Sequence, residues 1–177
     1  MQIFETKIHG LKVIHPKVMN DNRGYFFEVF QKERYQRLLG IDYEFVQDNY
    51  SRSFKNVLRG LHFQQDNPQG KLLRVVQGQV FDVAVDIRKD SSTFGQWIGI
   101  ILSAENNKQF WIPPGFAHGF LVLSDVADVE YKCTNYYDPK SEKCLLWNDT
   151  TININWPITN PILSDKDGRG KTFMELL

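Results

Sequence analysis

Cysteine is nearly missing from this 177-residue chain: Cys133 and Cys144 are the only two. Two are too few for a disulfide framework, and reduced thiols without a catalytic part are expected. Neither sign of charge is in excess, since Lys plus Arg number 21 and Asp plus Glu number 21. A non-specific nucleic-acid binder carries a basic surplus, so that partner is excluded. No apolar run approaches the ~20 residues that span a bilayer, which excludes a membrane-spanning helix. The opening MQIFETKIHG lacks an apolar signal core, and a soluble, cytoplasmic protein is expected. Internal repeats, linkers and low-complexity tracts are also lacking, so residues 1–177 are expected to form a single domain. With 14% aromatic residues and no net charge, the chain is not disordered. A domain of this size buries about two thirds of its unfolded surface and needs no staple.

What is present is strand pattern. In residues 79–88, QVFDVAVDIR, Phe81, Val83, Val85 and Ile87 alternate with Asp82, Asp86 and Arg88. Further strands are predicted over 11–18, 24–30, 44–50, 57–63, 71–77, 96–102, 108–112, 116–123, 128–136 and 144–147. Gln77-Gly78, Ala104–Asn107 and Pro113-Pro114-Gly115 punctuate them as turns. One helix is predicted over Gln31–Leu39, with Tyr35, Leu38 and Leu39 sharing a face and Gly40 as its stop. A second short helix is predicted after Asp167. Many short strands at regular spacing predict an all-β sandwich or barrel, which at about eight strands holds one small ligand.

Four histidines are candidates for chemistry. His9 and His15 have no acid nearby and read as surface or packing residues. His62 stands in Arg59-Gly60-Leu61-His62-Phe63-Gln64, and His118 follows the turn Pro113-Pro114-Gly115. The Pro-x-Gly-x-x-His stretch ending at His118 is similar to the second metal motif of cupin barrels. The first such motif supplies His-x-His and then Glu, but here Gln64 replaces the second imidazole. Two histidines without a third strong ligand make a poor Zn or Fe site. No metal and no cofactor are therefore expected.

Acid–base chemistry fits better. An imidazole titrates near neutrality and acts as a base when a carboxylate orients it. Asp82, Asp86, Asp165 and Asp167 are the candidate partners of His62, and spacing alone does not choose among them. Lys71 is placed to polarise a carbonyl, and Tyr131 to give up a proton. Arg23, Arg59 and Arg74 are suited to a phosphate, although a salt bridge is the simpler reading of Arg74. One tension is built in. Arg59 and His62 are three apart, so a regular strand puts them on opposite faces. If both face a pocket, the strand must bulge, and Gly60 is where that is possible.

Taken in order, several runs resemble one family. They are Asp21–Glu28, Phe45–Asn49, Val57–Gln64, Gln69–Arg74, Phe81–Lys89, Trp111–Leu123, Tyr131–Tyr137 and Leu163–Asp167. The sequence is identified as a member of the dTDP-4-dehydrorhamnose 3,5-epimerases. The resemblance implies an all-β, cupin-like jelly-roll barrel with a few short peripheral helices, metal-independent and homodimeric. It implies inversion at C3 and C5 of dTDP-4-dehydro-6-deoxy-D-glucose to give dTDP-4-dehydro-L-rhamnose. It assigns His62 as base, Asp167 as its acidic partner, Tyr131 as general acid and Lys71 beside the C4 oxygen. It assigns Arg23, Glu28, Gln47, Asp48, Asn49, Arg59, His118, Glu142 and Lys166 to the nucleotide sugar, with part of the Arg23–Glu28 stretch reaching across a dimer. A mono-epimerase or ketoisomerase on a related dTDP-4-keto sugar is the nearest alternative, and a metal- or ligand-binding cupin a more distant one.

Overall fold

The computed structural model describes residues 1–176, and Leu177 lies outside the described residues. In chain order the elements are β1 (Gln2–Glu5), β2 (Lys12–His15), β3 (Met19–Asp21), β4 (Gly24–Phe26) and helix α1 (Lys32–Leu39). Then follow β5 (Gln47–Phe54), β6 (Leu58–Gln64), β7 (Lys71–Gln77), β8 (Gln79–Asp86) and β9 (Trp97–Ser103). The chain continues with β10 (Gln109–Ile112), β11 (Phe116–Val122), β12 (Val126–Cys133) and β13 (Glu142–Cys144). It ends in a short helix α2 (Asp165–Gly168) and a 3₁₀ turn over Phe173–Leu176.

One sheet has six strands in the order β1-β2-β10-β7-β12-β5, and the other has five in the order β13-β6-β11-β8-β9. Every pairing within them is antiparallel. The two sheets face each other as a jelly roll. They do not hydrogen-bond into the closed barrel expected from strand count; β5 and β1 edge one sheet, β13 and β9 the other.

Strand alternation sorts the apolar residues into three layers. Leu73 and Val75 of β7, Phe110 and Ile112 of β10, and Val80 and Ala84 of β8 meet between the sheets. Their neighbours Leu72 and Trp111 point the other way, where Tyr35 and Leu39 of α1 cover them. On the far side, Val83 and Val85 lie under Leu145, Ile152 and Phe173 of the C-terminal segment. Each large side chain so buried contributes roughly 1.5–3 kcal/mol. In 79–88 the predicted apolar face thus packs beneath the tail, while Asp82 and Ala84 face inward; both faces of β8 are covered. In α1, Gln31 caps the first turn, Gly40 adopts the left-handed stop (φ 68), and Tyr35 and Leu39 are buried. Leu38 is exposed, because a stripe spaced by four leaves position 38 outside it.

The tension at Arg59 and His62 is resolved as its spacing demands. Between β6 and β11 the register runs His118↔His62 and then Phe120↔Arg59, so three steps on one strand match two on the other. Gly60 takes φ 111, and a Cβ there would come within 2.6 Å of Gly119 Cα and the His118 carbonyl oxygen. Only glycine fits this crossing.

Asp86 organises the turn beside the Pro113–Gly115 corner. It is fully buried and accepts hydrogen bonds from Arg88, Ser91 and Thr93. Burial alone would raise its carboxyl, but the donors outweigh it and hold the pKa at about 2. A depressed carboxyl adds stability above its unfolded pKa and loses it as pH falls through the folded one. Asp86→Asn is expected to cost about 2 kcal/mol at pH 7 by urea unfolding. It should also flatten the fall in stability between about pH 5 and pH 2; a wild-type slope in the variant would refute this role.

Candidate active site

The space between the sheets is apolar over most of its length and polar at one end. The change occurs along single strand faces. On β12, Ala127 and Val129 are in the core, and Tyr131 follows two residues on, lining a cavity. On β7, Lys71 precedes Leu73 and Val75 in the same alternation. On β5, Gln47, Asn49 and Ser51 point inward, and β6 and β11 bring His62 opposite His118. Two cavities share His62, Lys71 and Tyr131. One, of about 360 Å³, adds Ser51, Arg59, His118, Ser164 and Asp167. The other, of about 250 Å³, adds Gln47, Asn49, Gln69, Tyr137 and Glu142.

Of the four acids, Asp167 is the one that reaches His62: its Oδ1 lies 2.5 Å from Nε2. A carboxylate only accepts, so the ring nitrogen facing it carries the N–H. Asp167 is 4% exposed. Burial would raise its carboxyl, yet hydrogen bonds from His62, Ser164 and the Gly60 N–H hold it below the usual range. Ser164 caps α2 and donates to Asp167 Oδ2 at 2.8 Å. The tail after Asp167 forms the 3₁₀ turn over Phe173–Leu176, and α2, which was not predicted, spans Asp167 itself. Ser164-x-x-Asp167 is an N-cap pattern that the sequence reading passed over.

A second carboxylate flanks the same ring. Glu142 Oε1 is 3.7 Å from His62 Nδ1. Its other oxygen accepts from Tyr137 at 2.6 Å and from Lys166. Burial opposes the charge on Glu142, but Lys166, Tyr137 and His62 hold its carboxyl low. Tyr137 also went unnoticed as a site residue; one tyrosine in Asn135-Tyr136-Tyr137-Asp138 carries no local signal.

Lys71 makes no hydrogen bond or ion pair with the described residues, and burial pulls its pKa down against the opposing fields of Cys133, Glu142 and Asp82. Its ammonium is thus uncommitted. Burial pushes the Tyr131 phenol up, so it keeps its proton. His118 is paired with Asp82 at 3.0 Å, which gives Asp82 a partner other than His62. Asp86 serves its own turn, and Asp165 is an exposed partner of Arg169.

Several expected ligand contacts lie elsewhere in this chain. Arg23, on the β3–β4 hairpin, pairs with Asp21, and Glu28 pairs with Arg34; neither lines the two cavities. Asp48 alternates away from Gln47 and Asn49 and pairs with Lys132 on the outer face. Arg74 is bridged to Glu130, the simpler of its two readings. His9 is exposed and His15 packs on Phe4.

A metal fits these residues poorly. His62, Cys144 and Asp167 offer ligand atoms within 4.8 Å of one another. However, His62 Nε2 and Asp167 Oδ1 are bonded to each other at 2.5 Å and Asp167 Oδ2 accepts from Ser164, so the cluster is already satisfied internally. Gln64, which stands where cupins place a second imidazole, clips a loop instead through Asn67, Tyr136 and Asp138.

A jelly roll whose polar end joins a carboxylate-backed histidine, an uncommitted lysine and a protonated tyrosine is a cupin-like enzyme built for proton transfer. Residues 5–175 match the dTDP-4-dehydrorhamnose 3,5-epimerase family, and the chain belongs to it. The dTDP-4-dehydrorhamnose 3,5-epimerase of Salmonella typhimurium is 56% identical, over 94% of this chain and 92% of that protein. The solved dTDP-6-deoxy-D-glucose-3,5-epimerase of Legionella pneumophila, in complex with dTDP-4-keto-L-rhamnose, is 57% identical. It superposes with a TM-score of 0.94 over 97% of this chain and 92% of that one. A 3'-monoepimerase from Streptomyces bikiniensis, in complex with dTDP-quinovose, is 34% identical with a TM-score of 0.88, over 94% and 85% of the two chains.

Asp167→Asn keeps the shape but removes the negative charge behind the ring and exchanges one of the two acceptor oxygens for an N–H donor. It is expected to lower turnover by about 10²-fold or more with little loss of fold. Steady-state kinetics beside circular dichroism checks this, and a folded variant at wild-type turnover would contradict it.

Proposed function

We propose that the chain inverts C3 and C5 of dTDP-4-dehydro-6-deoxy-D-glucose, giving dTDP-4-dehydro-L-rhamnose. The observation that carries this reading is the single cavity wall shared by His62, Lys71 and Tyr131, with Asp167 behind the histidine. A C–H beside a ketone is acidic because the carbanion delocalises onto oxygen. C3 and C5 both flank the C4 ketone, so one set of groups serves both centres.

His62 takes the proton from one face, and the electron pair moves into the C4 carbonyl to form an enolate. The Lys71 ammonium, held without an internal partner, stabilises that oxygen by about 3 kcal/mol if it acts as a typical preorganised donor. Tyr131 delivers its phenolic proton to the same carbon from the other face, which inverts it. Before the second inversion, His62 releases its proton to solvent and the Tyr131 phenolate regains one. Charge on the donor and acceptor is restored, and no electrons leave the sugar.

Gln47, Asn49, Arg59, His118, Glu142 and Lys166 hold the nucleotide sugar in this reading. Remote contacts of this kind fix the ring for reaction. Arg23 and Glu28 act on the cavity of a partner subunit in a homodimer, which accounts for their position off their own cavity; Asp48 stays on the outer face. The exposed Tyr25 and Phe26 beside Arg23, at 60% and 69%, suit burial against that second copy. Both cysteines are free, in keeping with a cytoplasmic, single-domain protein. The 34%-identical monoepimerase keeps a second reading in view, inversion at one carbon only.

Turnover of the 4-keto sugar nucleotide in deuterated water, followed by NMR, is expected to place deuterium at both C3 and C5. Label at one carbon would favour the monoepimerase, and label at neither would end the proposal. His62→Ala should lose nearly all exchange. Tyr131→Phe should still exchange but invert poorly; normal turnover by that variant would remove the tyrosine from its role.

A further inference from the structure

In the reading above, each inversion leaves a proton on His62, so two inversions of one ring require the imidazole to shed one in between. His62 meets solvent through the two cavities that it lines, and a seated sugar nucleotide fills them. Some neighbour has to take that proton.

Most of the ionisable groups around the ring are unable to. Asp167, from α2, holds Nε2, but it is buried and its other oxygen accepts from Ser164. Arg59 of β6 and Lys71 of β7 are cations with nothing to accept a proton. Burial keeps the phenol of Tyr131 on β12 protonated, and likewise the thiol of Cys144, paired with His62 from β13, the latter at about 12. His118 of β11 is already paired with Asp82, and Tyr137 donates to Glu142. Glu142 of β13 remains.

The hydrogen bonds from Tyr137 and Lys166 both fall on Glu142 Oε2, which leaves Oε1 turned to His62 Nδ1 at 3.7 Å. That gap is too wide for a direct hydrogen bond, and a small swing of the carboxylate or one water closes it. On its other side the way out is short. The Glu142 side chain is 11% exposed, while Lys166 and Tyr137 are half exposed. Lys166, Tyr137 and His62 hold its carboxyl low against burial, so at neutral pH it is an acceptor that binds a proton briefly and lets it go.

We propose that Glu142 is the proton outlet of His62, acting through the histidine and not on the carbon being inverted. An imidazolium carries a proton on each ring nitrogen, and the one on Nδ1 faces Glu142. Its N–H bond breaks, an O–H bond forms on Oε1, and Glu142 then gives a proton to solvent beside Lys166. His62 is neutral again, with Nε2–H still on Asp167, and the carboxylate is restored. This rests on the double-inversion reading, in which a base that stays charged performs one inversion and stops.

The test is turnover of the 4-keto sugar nucleotide by the full chain at fixed pH and ionic strength, with and without added imidazole, a mobile base. In weak buffer Glu142→Gln is expected to lose about tenfold in kcat, and added imidazole to restore most of it. The wild type should gain nothing from imidazole, and Glu142→Asp, which keeps a carboxylate, should retain most turnover without it. Followed by NMR in deuterated water, Glu142→Gln should accumulate sugar labelled at one of C3 and C5 before the other. A wild-type kcat in Glu142→Gln, or a loss that imidazole does not relieve, would overturn the proposal and leave Glu142 a binding residue. Stimulation of the wild type by imidazole would overturn it too, and that measurement needs no variant to fold. Label at neither carbon in the wild type would instead remove the double-inversion reading itself.

Discussion

The contact between His62 and Asp167 joins two parts of the chain 105 positions apart. It needs β6 to turn its histidine inward and the C-terminal segment to return across the sheet. Everything around it serves those two requirements. The Gly60 bulge brings His62 to the same side as Arg59. Val83 and Val85 give the returning segment an apolar bed, and Ile162 bonds to the backbone beside Leu58. Ser164 then starts the short helix that presents Asp167.

The energetics of the polar end follow from its partners. A buried carboxylate is tolerable only with donors around it, and Asp167, Glu142, Asp82 and Asp86 each have them. Lys71 is different. Burial disfavours its charge, and the acids Glu142 and Asp82 act on it through space without bonding to it. A cation kept near acids but bonded to none is available to a developing enolate. Tyr131, buried and still protonated, is the complement on the acid side. The same wall therefore holds a base, an acid and a charge, with little reorganisation needed when a ketone enters.

Much of this was legible in the sequence. The alternation in 79–88 and the turn residues between strands showed an all-β fold, and the three-residue spacing of Arg59 and His62 pointed to a bulge at Gly60. What period-two reasoning does not see is which face is inner. In β8 both faces are buried, so the apolar face packed under the tail while Asp82 turned inward to His118. The choice of Asp167 over three other acids came from the family resemblance, because no local pattern links residues so far apart. Strand alternation places Asp48 on the outer face beside Lys132. Arg23 and Glu28 line neither cavity of their own chain, and it is the proposed homodimer that gives them a place at a site.

The account turns on base and acid addressing opposite faces of one sugar ring. A crystal structure with the dTDP-4-keto sugar bound tests this most directly. The expected result places a His62 ring nitrogen about 3–3.5 Å from C3 or C5 on one face. The Tyr131 hydroxyl should then be within reach of the same carbon from the other face, and Lys71 Nζ at the C4 oxygen. A ring seated with His62 and Tyr131 on the same face, or with its ketone away from Lys71, would contradict it.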